Sequence, residues 1–186
     1  MNAYMILIRG INVGGKNIVK MDKLRKCLEE EGFTNITTYI ASGNVLLTSE
    51  KPAAEIKTQV ESMLSNKFEL DDGYVNVHVL THDQLQAVVD HKPVGFGDQP
   101  EKFHSDVIFL IDLDAAEAMK VFDPREGVDQ VWPGDGVIYS QRLTAQFNKS
   151  RLSKIIGTAA YKSMTIRNWN TTLKLLEMIR QVNGNL

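Results

Sequence analysis

Hydrophobic and polar positions along the first half of the chain switch between the strand period and the helix period. The apolar run Ala3 to Ile8 reads as a strand. From Met21 to Glu31, Leu24, Cys27 and Leu28 fall at helical spacing, and Gly32 supplies a stop. Ile36 to Ile40 and Val45 to Thr48 predict two short strands around Ala41-Ser42-Gly43-Asn44, whose glycine and asparagine suit the positive φ of a tight hairpin. Pro52 opens a second helix with Ile56, Val60, Met63 and Leu64 inward. Val75, Val77 and Val79 alternate with Asn76 and His78 as a last strand. The order β-α-β-β-α-β is that of the ferredoxin-like split unit.

A third helix follows, with Thr81 or Asp83 as cap and Leu85, Val88 and Val89 inward. Two prolines and two glycines between Lys92 and Pro100 then interrupt the pattern and read as a linker. Beyond it come a strand from Asp106 to Ile111, a helix from Ala115 to Phe122 capped by Asp114, and a hairpin around Pro133-Gly134-Asp135-Gly136. Helices are expected from Ser150 to about Ala160 and from about Asn170 to Val182. The expectation is an α+β protein of two ferredoxin-like subdomains, 1–95 and 96–186, the second a β-α-β-β-α unit ending in a helix. Periodicity alone does not prove that the halves are homologous.

Bulk properties narrow the function classes. A chain of 186 residues with 43% hydrophobic and 24% charged residues has an ordinary globular composition. A formal net charge of -2 gives no field that attracts nucleic acid. The first strand also holds a single aromatic, Tyr4, and Val45-Leu46-Leu47 holds none, so the stacking platform of an RNA-binding sheet is lacking. One cysteine precludes an internal disulfide, and the N-terminal apolar run is too short for a signal peptide or membrane span; a cytoplasmic protein is expected.

Candidate chemistry concentrates in polar segments. Arg9-Gly10-Ile11-Asn12-Val13-Gly14-Gly15-Lys16-Asn17 leaves the first strand with glycines that let backbone N–H groups converge and two cations that favour an anion. Gly10 to Asn17 nearly spells a P-loop, but Asn17 replaces the magnesium-ligating hydroxyl and Ile18-Val19 delay the next helix. In the split topology this loop and Ser42-Gly43-Asn44 lie at one sheet end. Two well-made turns or a polar pocket explain them equally. Near the C-terminus, seven cations from Lys149 to Arg180 face the single acid Glu177. A basic helix docked on an acidic neighbour explains that segregation as well as an anion site does. Within this segment Arg167 is suited to bidentate anion recognition beside Asn168, while Trp169 and Asn170 fit a core anchor and a helix cap. No nucleophile elbow, zinc-protease pair or Cys/His metal spacing occurs, so no metal ligand and no catalytic residue is assigned.

Leu7 to Asn17, Tyr39 to Val45 and Thr165 to Thr171 together resemble a widespread bacterial family known as a domain of unknown function. The resemblance covers essentially the whole chain. It implies a cytoplasmic α+β protein with two ferredoxin-like subdomains and supplies no substrate, cofactor or catalytic residue. The expected function is binding of a small anionic ligand such as a phosphorylated metabolite or nucleotide, with or without action on it. Arg9 and Lys16 would supply charge with Arg167. Asn12, Ser42, Asn44 and Asn168 would supply hydrogen bonds, and Gly10, Gly14 and Gly15 close backbone approach. All three segments are then expected to meet in one cleft. The alternative is a non-catalytic interaction or regulatory module with a protein partner.

Overall fold

The architecture comes from a computed structural model that describes residues 1–73 and 75–183. It contains two four-stranded antiparallel sheets of identical strand order. In the first, β1 (Asn2–Ile8) pairs with both β3 (Asn44–Ser49) and β4 (Val77–Thr81), and β2 (Thr34–Tyr39) covers the far side of β3. Helices α1 (Met21–Glu30) and α2 (Ala53–Lys67) pack on one face, where Leu24, Leu28, Ile56, Val60 and Leu64 close over Tyr4, Ile6, Val45, Leu47 and Val77. Burying branched side chains of this kind stabilises by about 1.5–3 kcal/mol each before entropy is counted. Helix α3 (His82–Asp90) opens with a reciprocal cap: Gln84 N–H donates to Thr81 Oγ1 at 3.2 Å and Thr81 N–H to Gln84 Oε1 at 2.9 Å.

The second sheet repeats the plan with β5 (Phe103–Leu110), β6 (Asp129–Pro133), β7 (Val137–Leu143) and β8 (Met164–Asn168). Helix α4 (Ala115–Met119) is shorter than its apolar pattern implies; Asp114 caps it through Ala116 N–H at 2.7 Å. The helix expected from Ser150 to Ala160 is instead a series of 3₁₀ turns, in which Leu152 and Ile155 bury at the i, i+3 spacing such turns favour. The missing last strand of the repeat exists as β8, placed against β5 from Asp106 to Leu110. Its pattern was inverted: Ile166 points outward, whereas Thr165 and Arg167 are buried. Helix α5 (Trp169–Asn183) follows directly.

The chain forms two compact units, Met1–Gln86 joined by the chain from Lys174 onward, and Ala87–Leu173. The Pro/Gly run read as a linker is packed structure within the second unit. Phe96 is fully buried, with its ring edge-on to Tyr139 at 5.1 Å and to Trp169 at 5.2 Å. Tyr139 donates to Val88 O at 2.6 Å, and burial pushes its hydroxyl up to about 12. Among the described residues no helix is long and apolar enough to cross a membrane.

Candidate functional site

The loop after β1 is a small β-hairpin. Gly14 and Gly15 sit at φ +58 and +77, and Lys16 N–H donates to Val13 O at 3.0 Å across them. Two consecutive positive φ values with that closing bond are what a two-residue primed turn requires. Asn12 N–H donates to Asn17 O at 3.1 Å below it, so the finger runs from Asn12 to Asn17. Both asparagines adopt left-handed backbone, at φ +56 and +47, a conformation their short amides tolerate.

Asn12 is the hub of this sheet end. Its Nδ2 donates to Val19 O at 2.9 Å and Ala41 O at 2.8 Å, and its Oδ1 accepts from Val19 N–H at 2.9 Å. One amide thus staples the finger, its exit strand and the β2–β3 turn together. Asn17 donates to Gly10 O at 3.1 Å and accepts from Asp71 N–H at 2.8 Å. Asn44 is buried, and its amide donates to Tyr39 O and to Ser42 Oγ, both at 3.0 Å. The loop and the Ser42–Asn44 turn are therefore neighbours, as the split topology requires, and their amides are committed to the loop's own architecture.

The β2–β3 turn spans residues 40–43, and its positive φ falls on Gly43 (+83) and Ile40 (+49), with Asn44 already inside β3. Gly43 is obligatory: a Cβ there would lie 2.7 Å from Ile8 O and 3.0 Å from Ile8 Cβ. Gly10, Gly14 and Gly15 would meet nothing within 4 Å, so they serve turn geometry and leave open space outside. Gly14 and Gly15 N–H groups make no hydrogen bond among the described residues. Lys16 is exposed and Arg9 half-buried.

The finger also carries features its polar composition concealed. Val13 is 63% exposed, Ile18 57% and Ile40 52%. Each is adjacent in sequence to a residue bonded through the Asn12 hub, namely Asn12 itself, Val19 and Ala41, so the three aliphatics decorate one rigid scaffold. The sequence signal was present: β-branched residues inside Gly/Asn turns, where solvent favours polar side chains. Beside the finger lies a cavity of about 560 Å³ that Gly15, Asn17 and Ile18 share with Glu69 and Asp71. Two carboxylates there work against an anion.

Arg167 and Asn168 belong to the second unit. Arg167 is 6% exposed and donates from Nη1 to Thr165 Oγ1 at 2.9 Å and Ile166 O at 2.8 Å. Burial lowers its guanidinium to about 10. Asn168, rather than Asn170, caps α5: its Oδ1 accepts from Asn170 N–H at 3.0 Å. Its Nδ2 donates to Ser105 O at 3.3 Å. Among the described residues no three metal-ligating side chains converge.

Residues 1–139 match the family described as a protein of unknown function, DUF1697, and the chain belongs to that family. Its structure is similar to that of the conserved bacterial protein SP0830 from Streptococcus pneumoniae, at a TM-score of 0.83 and 25% identity, covering 96% of this chain and 98% of that one. None of the curated proteins matches the chain.

Proposed function

We propose that the N-terminal unit is a non-catalytic recognition module that engages a protein partner through the finger and the adjoining β2–β3 turn. The observation that carries this reading is the gathering of exposed Val13, Ile18 and Ile40 around the Asn12 staple. A preformed scaffold loses little conformational entropy on binding, and apolar side chains held in water on rigid backbone gain most from being covered. Ile40 adds a second support. A β-branched residue in left-handed backbone is strained, and strain at an exposed turn has no packing benefit within the unit. Exposed Lys16 and Lys20 lie on the same loop, while Glu69 and Asp71 share the cavity beside Ile18, so the partner surface is apolar with a rim carrying both signs of charge.

The test is affinity capture with the full chain, followed by titration of the purified pair against Val13→Ser, Ile18→Ser and Ile40→Asn. Each is expected to weaken binding about 5- to 50-fold, or about 1–2.3 kcal/mol, somewhat less than the full burial of an aliphatic side chain because each is already partly covered. Equal affinity in all three sinks the proposal.

A second reading, an anionic small ligand such as a phosphorylated metabolite or nucleotide, is favoured by the free Gly14 and Gly15 N–H groups beside Lys16. Arg9 would add charge at the strand exit. A thermal-shift screen of phosphorylated metabolites separates the readings. A stabilising compound whose effect is lost in both Lys16→Ala and Arg9→Ala selects the ligand, and a flat screen beside a captured partner selects the module.

A further inference from the structure

The C-terminal unit holds a cavity built independently of the finger. Strand β8 pairs with β5 only from Asp106 to Leu110, because the chain turns into α5 at Trp169. Phe103, His104 and Ser105 therefore lie beyond the β8 ladder on that side, Ser105 O being met by the Asn168 side chain, and a cavity of about 260 Å³ opens there. Phe103, Trp169 and Gly97 line it with His104, Thr144 and Asn170. Its Trp169 wall is fixed in place: a Cβ on Gly97 would stand 2.5 Å from the indole Cδ1 and Nε1, and Phe96 packs edge-on against the same ring.

His104 and Asp106 are two residues apart on one strand, so they share a sheet face. The His104 ring is 41% exposed and its Nε2 lies 3.1 Å from the Asp106 carboxylate, which is 16% exposed. In the neutral ring with its proton on Nε2, toward the carboxylate, Nδ1 is the lone-pair acceptor. Nδ1 has no hydrogen-bond partner among the described residues. Arg142, the cross-strand neighbour of His104, favours the Asp106 carboxylate, against the larger upward push of its burial. The Thr144 hydroxyl and the Asn170 amide likewise have no side-chain hydrogen bond among the described residues.

We propose that this cavity is a second binding site, for a small flat heterocycle with an N–H or amino donor on its edge, in which His104 Nδ1 accepts that donor and Asp106 positions the ring. The two aromatic walls suit a flat ring, the unspent polar edges suit a hydrogen-bonding one, and the volume, below that of drug-sized pockets, admits a single ring system. Asp106 acts through His104 and is a positioning residue. The sequence hides the pair because His-x-Asp on a strand looks like scattered surface polarity.

The experiment is a titration of the full chain with adenosine and cytidine, and with methyl glucoside as a non-aromatic control, followed by amide and imidazole nitrogen NMR. Saturable binding of a nucleoside is expected, with shifts centred on the Trp169 indole and the His104 ring. His104→Ala weakens binding about three- to ten-fold, the net loss of one hydrogen bond at a partly exposed ring. Asp106→Asn shifts the imidazole signals away from the Nε2-protonated tautomer and weakens binding less, a change a purely structural role would not produce. Failure of both nucleosides to bind, binding unchanged in His104→Ala, or equally tight binding of the glucoside overturns the proposal.

Discussion

Removing the Asn12 amide is the sharpest perturbation of the N-terminal unit. In Asn12→Ala, three hydrogen bonds of 2.8–2.9 Å to Val19 and Ala41 disappear, and the new side chain must sit at φ +56. At about 0.5–1.5 kcal/mol net per bond, discounted because the Ala41 contact is exposed, the bonds contribute about 2–3 kcal/mol. Left-handed backbone costs a non-glycine residue without an amide about 1 kcal/mol more. Asn12→Ala is therefore expected to destabilise by about 3–4 kcal/mol, and Asn12→Gly by about 1 kcal/mol less, since glycine is free of the backbone term. Urea denaturation gives the totals. Hydrogen exchange at the Val19 amide gives the local effect, with protection lost in both variants. A loss under 0.5 kcal/mol in Asn12→Ala, or unchanged Val19 protection, would refute the idea that one amide fixes this sheet end.

The other predictions follow from equally local geometry. Gly43→Ala places a methyl 2.7 Å from Ile8 O at φ +83 and should cost about 2–4 kcal/mol, whereas Gly10→Ala, in open space at φ +67, should cost about 1 kcal/mol; equal losses in denaturation would contradict the packing argument. Gly97→Ala collides with the Trp169 indole, so the Trp169 side-chain NMR resonance should shift along with a loss of stability. Burial raises Asp106 above its ordinary value of 3.8, although His104 and Arg142 pull it back. Its ionised form therefore opposes folding above the folded-state pKa. Stability of the native protein relative to Asp106→Asn should thus rise as pH falls through that raised pKa and level off below 3.8; a gap independent of pH refutes it.

The sequence made the N-terminal unit legible because its core obeys simple periods. Leu24, Cys27 and Leu28 mark one helix, Ile56 to Leu64 another, and the alternation through Val77 and Val79 marks the strand. The C-terminal unit was less legible for a physical reason. Strand β8 buries Arg167 and exposes Ile166, reversing the expected pattern, and its polar letters looked like a site. Ser150 to Ala160 carries helix-like apolar spacing, but the chain closes it as 3₁₀ turns. At the candidate site the loop's position was readable, since β-α-β-β topology fixes which turns adjoin. The destination of each asparagine amide was not, because an amide that binds a ligand and one that binds its own backbone look identical as letters. Gly14 and Gly15 likewise serve a primed turn as readily as an anion. The exposure of Val13, Ile18 and Ile40 depends on which face the finger turns outward, a property of its fold and not of its local pattern.

Ile40 tests the recognition reading most directly, because there strain and exposure coincide on one residue at φ +49 and 52% exposure. The measurement is paired: urea denaturation and partner affinity of Ile40→Asn against the native chain. If the isoleucine is kept for binding, asparagine relieves the backbone and stabilises by about 1 kcal/mol while partner affinity falls at least five-fold. Greater stability with undiminished affinity, or a destabilised variant that binds as before, would contradict the account.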